Sequence, residues 1–165
     1  DKSIKSSVLS LNLTNSDSFM GEGTTWGNLS FTNGKLDLSG QQSNLDSDSQ
    51  SAKTNGHFNK IFSTLTRIQK LGKRTTFWLI TDSQFAFKNL DSSQKLSLGG
   101  GNGIRAYPVS EANGDNAIII KSEIHHYLNK GIEGLIFFDY GRVKLYKNTW
   151  TPTTNNYFST ATVIY

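Results

Sequence analysis

The chain has 165 residues, enough for one domain with a real core, yet only 35% of them are apolar while 12% are aromatic. With 15 glycines and 18% charged residues at a net charge of +4, the profile is β-rich with polar connections and excludes a charge-heavy disordered chain. The absence of cysteine excludes a disulfide framework and a thiolate metal site, and no apolar run is long enough for a membrane-spanning helix.

Strict alternation of apolar and polar residues is the main signal along the chain. Leu9, Leu11 and Leu13 share one face of a first strand, with Ser10, Asn12 and Thr14 on the other. The next strand is expected from about Trp26 to Leu38, with Asn33-Gly34 as an alternative hairpin turn. Residues 41–56 have almost nothing to bury and read as a long polar loop. A strand from about His57 to Leu71 follows and turns at Gly72-Lys73-Arg74 into another from Thr75 to Asn89. That second segment places Phe77, Leu79, Phe85 and Phe87 opposite Trp78, Asp82, Gln84 and Lys88.

A glycine-rich stretch, Leu98 to Pro108, interrupts the alternation. Beyond it Ile118, Ile120, Ile124 and Leu128 alternate with Lys121, Glu123 and His125, and Asn129-Lys130-Gly131 turns the chain into a strand reaching Tyr146. A last strand runs from Tyr157 to Tyr165. These make about seven strands, several far longer than the usual five or six residues. One apolar face and one face carrying Lys, Glu, His, Asp and Gln suit a barrel with lipid outside and a wet lumen. A soluble sandwich or solenoid fits the same alternation.

Several chemistries find no footing. The densest cation run, Lys70 to Arg74, lacks the basic and aromatic interleaving of a nucleic-acid groove and reads as a solvated turn. The glycine run has no G-x-x-x-x-G-K-[ST] pattern, so it is no phosphate loop. His125 and His126 are adjacent, hence on opposite faces of a strand, and form no metal site. Asp82, Glu123 and Asp139 offer carboxylates, but no Ser-His-Asp pattern accompanies them, and neither a catalytic role nor a cofactor nor a small-molecule substrate is expected. Trp26, Tyr140, Tyr146 and Trp150 are either interface-girdle aromatics or core.

The segment NLDSSQKLSLGGGNGIRAYPVSEANGD, Asn89 to Asp115, resembles the signature of two-partner secretion transporters, the TpsB family of outer-membrane haemolysin and adhesin exporters. The matching positions are Gln84, Asn89 to Ser93, Leu98-Gly99-Gly100, Ile104-Arg105-Ala106-Tyr107-Pro108, Glu111-Ala112 and Gly114-Asp115. Glu123-Ile124-His125 stands where the family has an ELR-type strand, with His125 in place of the usual Arg. Phe137 to Gly141, FFDYG, matches the F-x-D-x-G pattern, and Arg67-x-Gln69 matches a late Arg-x-Gln. The resemblance is close over about residues 56–165 and loose before that.

The resemblance implies an all-β fold, an antiparallel transmembrane barrel fragment carrying about seven of roughly sixteen strands. Residues 1–165 are then part of a barrel domain, with a long loop over residues 90–116 inserted in the lumen and the periplasmic helper domains outside this chain. Arg105 at the loop tip is expected to pair with Asp139, latching the loop. Gly99, Gly100, Ile104, Tyr107, Pro108, Gly114 and Asp115 form the loop motif, Phe137 and Gly141 the barrel motif. Gln84, Lys121, Glu123 and His125 are lumen-facing candidates.

The implied work is to pass a secreted partner exoprotein across the bacterial outer membrane, with the lipid bilayer and that exoprotein as partners. A BamA-like assembly factor is the alternative within the class. A secreted adhesin or carbohydrate-binding β-domain is the alternative outside it, with the glycine loop as a surface epitope.

Overall fold

Alternating runs of this length satisfy their backbone hydrogen bonds by pairing along their whole extent. The computed structural model describes residues 2–100, 103–105, 108, 112–129, 131–152 and 154–164, the last strand from 157 onward by its backbone. The strands are β1 Ser3–Asp17, β2 Gly23–Asp37, β3 Gly56–Lys70, β4 Thr75–Ala86, β5 Leu96–Ser97, β6 Asn113–Gly114, β7 Asn116–Asn129, β8 Ile132–Lys144 and β9 Asn156–Ile164. Seven of them form one antiparallel sheet in the order β1-β2-β3-β4-β7-β8-β9. The two short strands β5 and β6 pair with each other inside the long connection between β4 and β7. The fold is a segment of antiparallel β-barrel wall.

Local chemistry moves some boundaries from their expected places. β2 runs straight through Asn33-Gly34, so no hairpin turn forms there. Gly34 is required for space instead: a Cβ on it would meet Phe58 Cζ at 2.5 Å. The polar segment 41–56 is not all loop, since Gln42–Ser49 forms a helix, α1. Without a buried residue, α1 has no apolar period for a sequence reading to find. Its end is fastened by Asp48, whose carboxylate accepts from the Thr54 hydroxyl at 2.6 Å and the Asn55 amide at 2.9 Å. β4 stops at Ala86, short of Asn89. The Asn89 amide group instead donates to the carbonyls of Ala52 and Asn148, tying the β2–β3 and β8–β9 connections together.

Connections of two kinds sit at opposite ends of the sheet. Tight turns join β1 to β2, β3 to β4 and β7 to β8, whereas the β2–β3, β4–β7 and β8–β9 connections are long. The β4–β7 connection lies against one face of the sheet, here the inner face. Ser30, Thr32, Phe58, Gln84, Ala86, Ile119, Phe137 and Asp139 on that face are all buried. On the outer face Leu9, Leu11, Leu13, Leu29, Phe31, Leu65, Ile118, Ile124, Ile136 and Phe138 are exposed, forming an apolar belt.

Polar rows flank the belt. Toward the long connections, Lys5 stands opposite Lys35 and Lys35 opposite His57. Toward the tight turns, Arg67 donates to both carboxylate oxygens of Asp17 at 2.8 Å, and Gln69 reaches the carbonyls of Met20 and Glu22. The four aromatics left open by the sequence divide. Tyr140 lies on the outer face by its register with Ile120, whereas Trp26 shares the inner face with Ser30 and Thr32. Tyr146 and Trp150 pack edge to face at 4.7 Å within the β8–β9 connection, away from the belt.

The loop seated on the inner face, a candidate functional site

The β4–β7 connection leaves the sheet at Ala86, crosses the inner face and returns through β6. A single 3₁₀ turn, Ser92–Gln94, starts it, capped by Asp91, which accepts from the Ser93 amide at 3.1 Å and binds Lys2 at 2.9 Å. Two buried polar groups hold the base. Asp115, fully buried, accepts the Leu90 amide at 3.0 Å and the Lys147 amide at 2.8 Å, with Lys95 Nζ at 3.4 Å. Burial pushes the Lys95 ammonium below its ordinary value, opposed by the Asp115 carboxylate. Gln84 donates from β4 toward the carbonyls of Gln94, Gly114 and Asp115, bridging the outgoing and returning legs, and Lys60 donates to Gln84 and Gln94.

Glycines shape the run that follows. Gly100 has φ +96°, a left-handed conformation that suits glycine. The Gly103 amide then bonds the Gly100 carbonyl at 2.9 Å, and the Ile104 amide bonds Leu98 O at 2.8 Å. A Cβ on Gly103 would sit 2.3 Å from Leu98 O, so the reversal leaves no room for one. Gly99 is bridged to Ile104 across this reversal.

The reversal presses Leu98 and Ile104 onto the sheet. Both are fully buried, and with Ala112 they pack against Ala117, Ile119, Phe137 and Val143. Gly141 makes the space: a Cβ there would lie 2.3 Å from Ile104 Cδ1 and 2.4 Å from Leu98 Cδ1. Gly114 allows a similar approach, its added Cβ falling 2.1 Å from Val143 Cγ2. The loop thus has its own apolar core on the inner face, separate from the smaller cluster of Phe58, Ala86 and Leu90.

At the end of the described reversal, Arg105 meets Asp139. Its Nε lies 2.9 Å and its backbone amide 3.1 Å from Asp139 Oδ2, and Nη2 lies 2.6 Å from Oδ1. The guanidinium also covers the Phe137 ring, 3.6 Å above its centroid. The Asp139 side chain is fully buried, whereas that of Arg105 is 32% exposed. A third interaction runs from Nη1 to Glu123 Oε1 at 2.5 Å. Planar donors at fixed angles suit this double grip, which a point-charge ammonium cannot reproduce.

The other candidates fall as follows. Lys121 is on the inner face, directly across from Asp139. His125 lies between Glu123 and Glu133 with its ring 5.0 Å from that of Trp78. Pro108 is exposed, and Tyr107 lies outside the described residues. Sequence reasoning missed Glu133, Lys95 and Lys60, and it named Asn89 only as a motif position, without its ties to Ala52 and Asn148. Lys95, Lys60 and Asn89 act through contacts between elements distant in sequence, and Glu133 through its place across the β7–β8 turn; none of these contacts has a pattern within one strand.

The profile of the family described as "Haemolysin secretion/activation protein ShlB/FhaC/HecB" matches residues 2–162. Among curated proteins, the heme/hemopexin transporter protein HuxB of Haemophilus influenzae strain 86-028NP is 32% identical over 151 residues, covering 88% of this chain and 26% of that protein. HuxB of the Rd strain is 37% identical over 97 residues, 56% of this chain and 17% of that protein. Among solved structures, CdiB from Escherichia coli superposes with a TM-score of 0.64 at 18% identity, over 95% of this chain and 29% of that one, a likeness of fold. The chain therefore spans 26% or less of the length of the HuxB proteins it matches. It belongs to the ShlB/FhaC/HecB family of two-partner secretion transporters.

Proposed function

We propose that this chain is the loop-bearing part of an outer-membrane barrel that passes a partner protein to the cell surface, and that the seated loop occupies the path. The outer face supports a lipid surrounding: its apolar belt is bounded at both ends by polar rows. Strands of 15 residues exceed the roughly 9–11 residues needed to cross a bilayer, leaving length for both rims. Tight turns on one side and long connections on the other fit the periplasmic and extracellular ends of such barrels. In lipid, the free edges of β1 and β9 require further strands of the complete barrel.

The inner face then lines the passage. Its work is conduction of an extended polypeptide, a haemolysin- or adhesin-class exoprotein, by binding and release rather than by catalysis. The similarity to the HuxB proteins makes a haem- or hemopexin-handling exoprotein the first partner to try.

The grip of Arg105 on buried Asp139 carries this reading. Such a pair adds little net stability, because desolvation offsets attraction, but removing one partner leaves a buried charge bare. The seat therefore favours one loop position while lumen water, or a cation of the passing chain, takes over Asp139 when the loop withdraws.

The test is a reversible lock. Cysteines replacing Ile104 and Gly141 in the complete protein are expected to form a disulfide, stop export of the partner when oxidised and restore it when reduced. Export at the native rate with the disulfide fully formed would overturn the gating role.

A further inference from the structure

Arg105 is bound on two sides. Beyond its contact with Glu123 Oε1, the second oxygen of Glu123 lies 2.8 Å from His125 Nε2, and His125 Nδ1 lies 2.6 Å from Glu133 Oε1. Five groups of alternating sign run along the inner face, from Asp139 through Arg105, Glu123 and His125 to Glu133. Glu123 and His125 are spaced two apart on β7 and so share a face. Glu133 comes from the start of β8, across the tight turn.

Both ring nitrogens of His125 face carboxylates. An ionised carboxylate only accepts, and a neutral imidazole has one N–H, so both contacts are satisfied only by the imidazolium. The geometry points to Glu123 as a second carboxylate of the loop seat and to His125, an imidazolium between Glu123 and Glu133, as the residue that positions it. This rests on the seated loop being the functional element. With His125 protonated, one Glu123 oxygen is held and the other is presented to Arg105. Loss of that proton leaves one carboxylate without its donor, freeing Glu123 to turn away from Arg105.

The surroundings of His125 are few. On β7, Glu123 binds it, Tyr127 is next on the same face, and Lys121 lies beyond Glu123 across from Asp139. From β4 come Trp78, whose ring is tilted against the imidazole, and Thr76, its cross-strand neighbour. From β8 come Glu133 and Leu135. Arg105 reaches it through Glu123. His126 points to the other face and meets the Thr75 hydroxyl at 2.8 Å.

The experiment uses the complete protein in native membranes, with a nitroxide on a cysteine replacing Ala106 beside the tip. The mobile fraction of the label is expected to rise several-fold between about pH 5 and 8, the range in which histidine titrates. His125→Asn should be mobile throughout, and His125→Arg, which keeps a cation, immobile throughout. Glu133→Gln should release the tip at lower pH. A pH response unchanged in His125→Asn, or none in the native residue, overturns the positioning role. Arg105→Ala separates the two levels: a label that stays immobile in that variant refutes the seat itself.

Discussion

Arg105 and Asp139 are joined by three donors of one residue on one buried carboxylate: Nε at 2.9 Å, Nη2 at 2.6 Å and the backbone amide at 3.1 Å. Because the backbone takes part, side chain and loop path are fixed together. The grip is one of position as well as of charge.

Replacing Arg105 by Lys keeps the charge and the backbone bond but removes the fork. A single ammonium cannot serve both Asp139 oxygens and Glu123 at these angles. The seated state should lose about 1.5–3 kcal/mol, the worth of a hydrogen bond to a charged group. Hydrogen exchange at the Ile104 amide, bonded to Leu98 O, should speed up by roughly one to two orders of magnitude, since about 1.4 kcal/mol is tenfold. An unchanged rate would mean that the apolar contacts alone hold the loop.

Gly141→Ala attacks the seat without touching an ion pair. The added methyl falls within 2.4 Å of both Leu98 and Ile104 side chains, and overpacking of this kind costs about 1–3 kcal/mol. Combining it with Ile104→Val, which removes the nearer Cδ1, should recover part of the loss. Protease sensitivity of the loop in the single and double variants checks this, and equal sensitivity would disprove the steric account.

Asp115 should matter to the loop's base rather than its tip. Asp115→Ala takes the counter-charge from Lys95, 8% exposed, leaving it the Leu145 carbonyl and the Tyr146 ring, and frees the amides of Leu90 and Lys147; breaking a buried pair in this way costs about 3–5 kcal/mol. Limited proteolysis should cut the β4–β7 and β8–β9 connections together. Protection of both would show that Asn89, bonded to Asn148 in both directions, and not Asp115, is the principal tie.

The β2–β3 connection should loosen in acid. Burial pushes the Asp48 carboxyl up, but hydrogen bonds from the Thr54 hydroxyl and the Asn55 and Thr54 amides outweigh it and hold the group below its ordinary value. A depressed carboxylate stabilises the fold above the ordinary value, about pH 4, and that contribution is lost as pH falls through the depressed value. Exchange protection of the Thr54 and Asn55 amides should fall in that window in the native protein. In Asp48→Ala it should be low at every pH, and acid-independent protection in the native protein would contradict the assignment.

What the amino-acid order determined by itself was the strand content, which side chains share a face, and the identity of the loop. Period-two alternation is local, so Leu9 with Leu11 and Glu123 with His125 are legible without any partner strand. The motif residues Arg105, Asp139 and Gly141 were legible as residue types in a pattern. The helix Gln42–Ser49 was not, because a helix with no buried side chain leaves no periodic trace. The tertiary structure alone decided which rows of different strands stand opposite one another. Antiparallel register is set by pairing over tens of residues, and one step of slip would turn every side chain to the other face. Only that register sets Glu133 beside His125, puts Lys121 across from Asp139, and opens at Gly141 the space into which Ile104 and Leu98 fold.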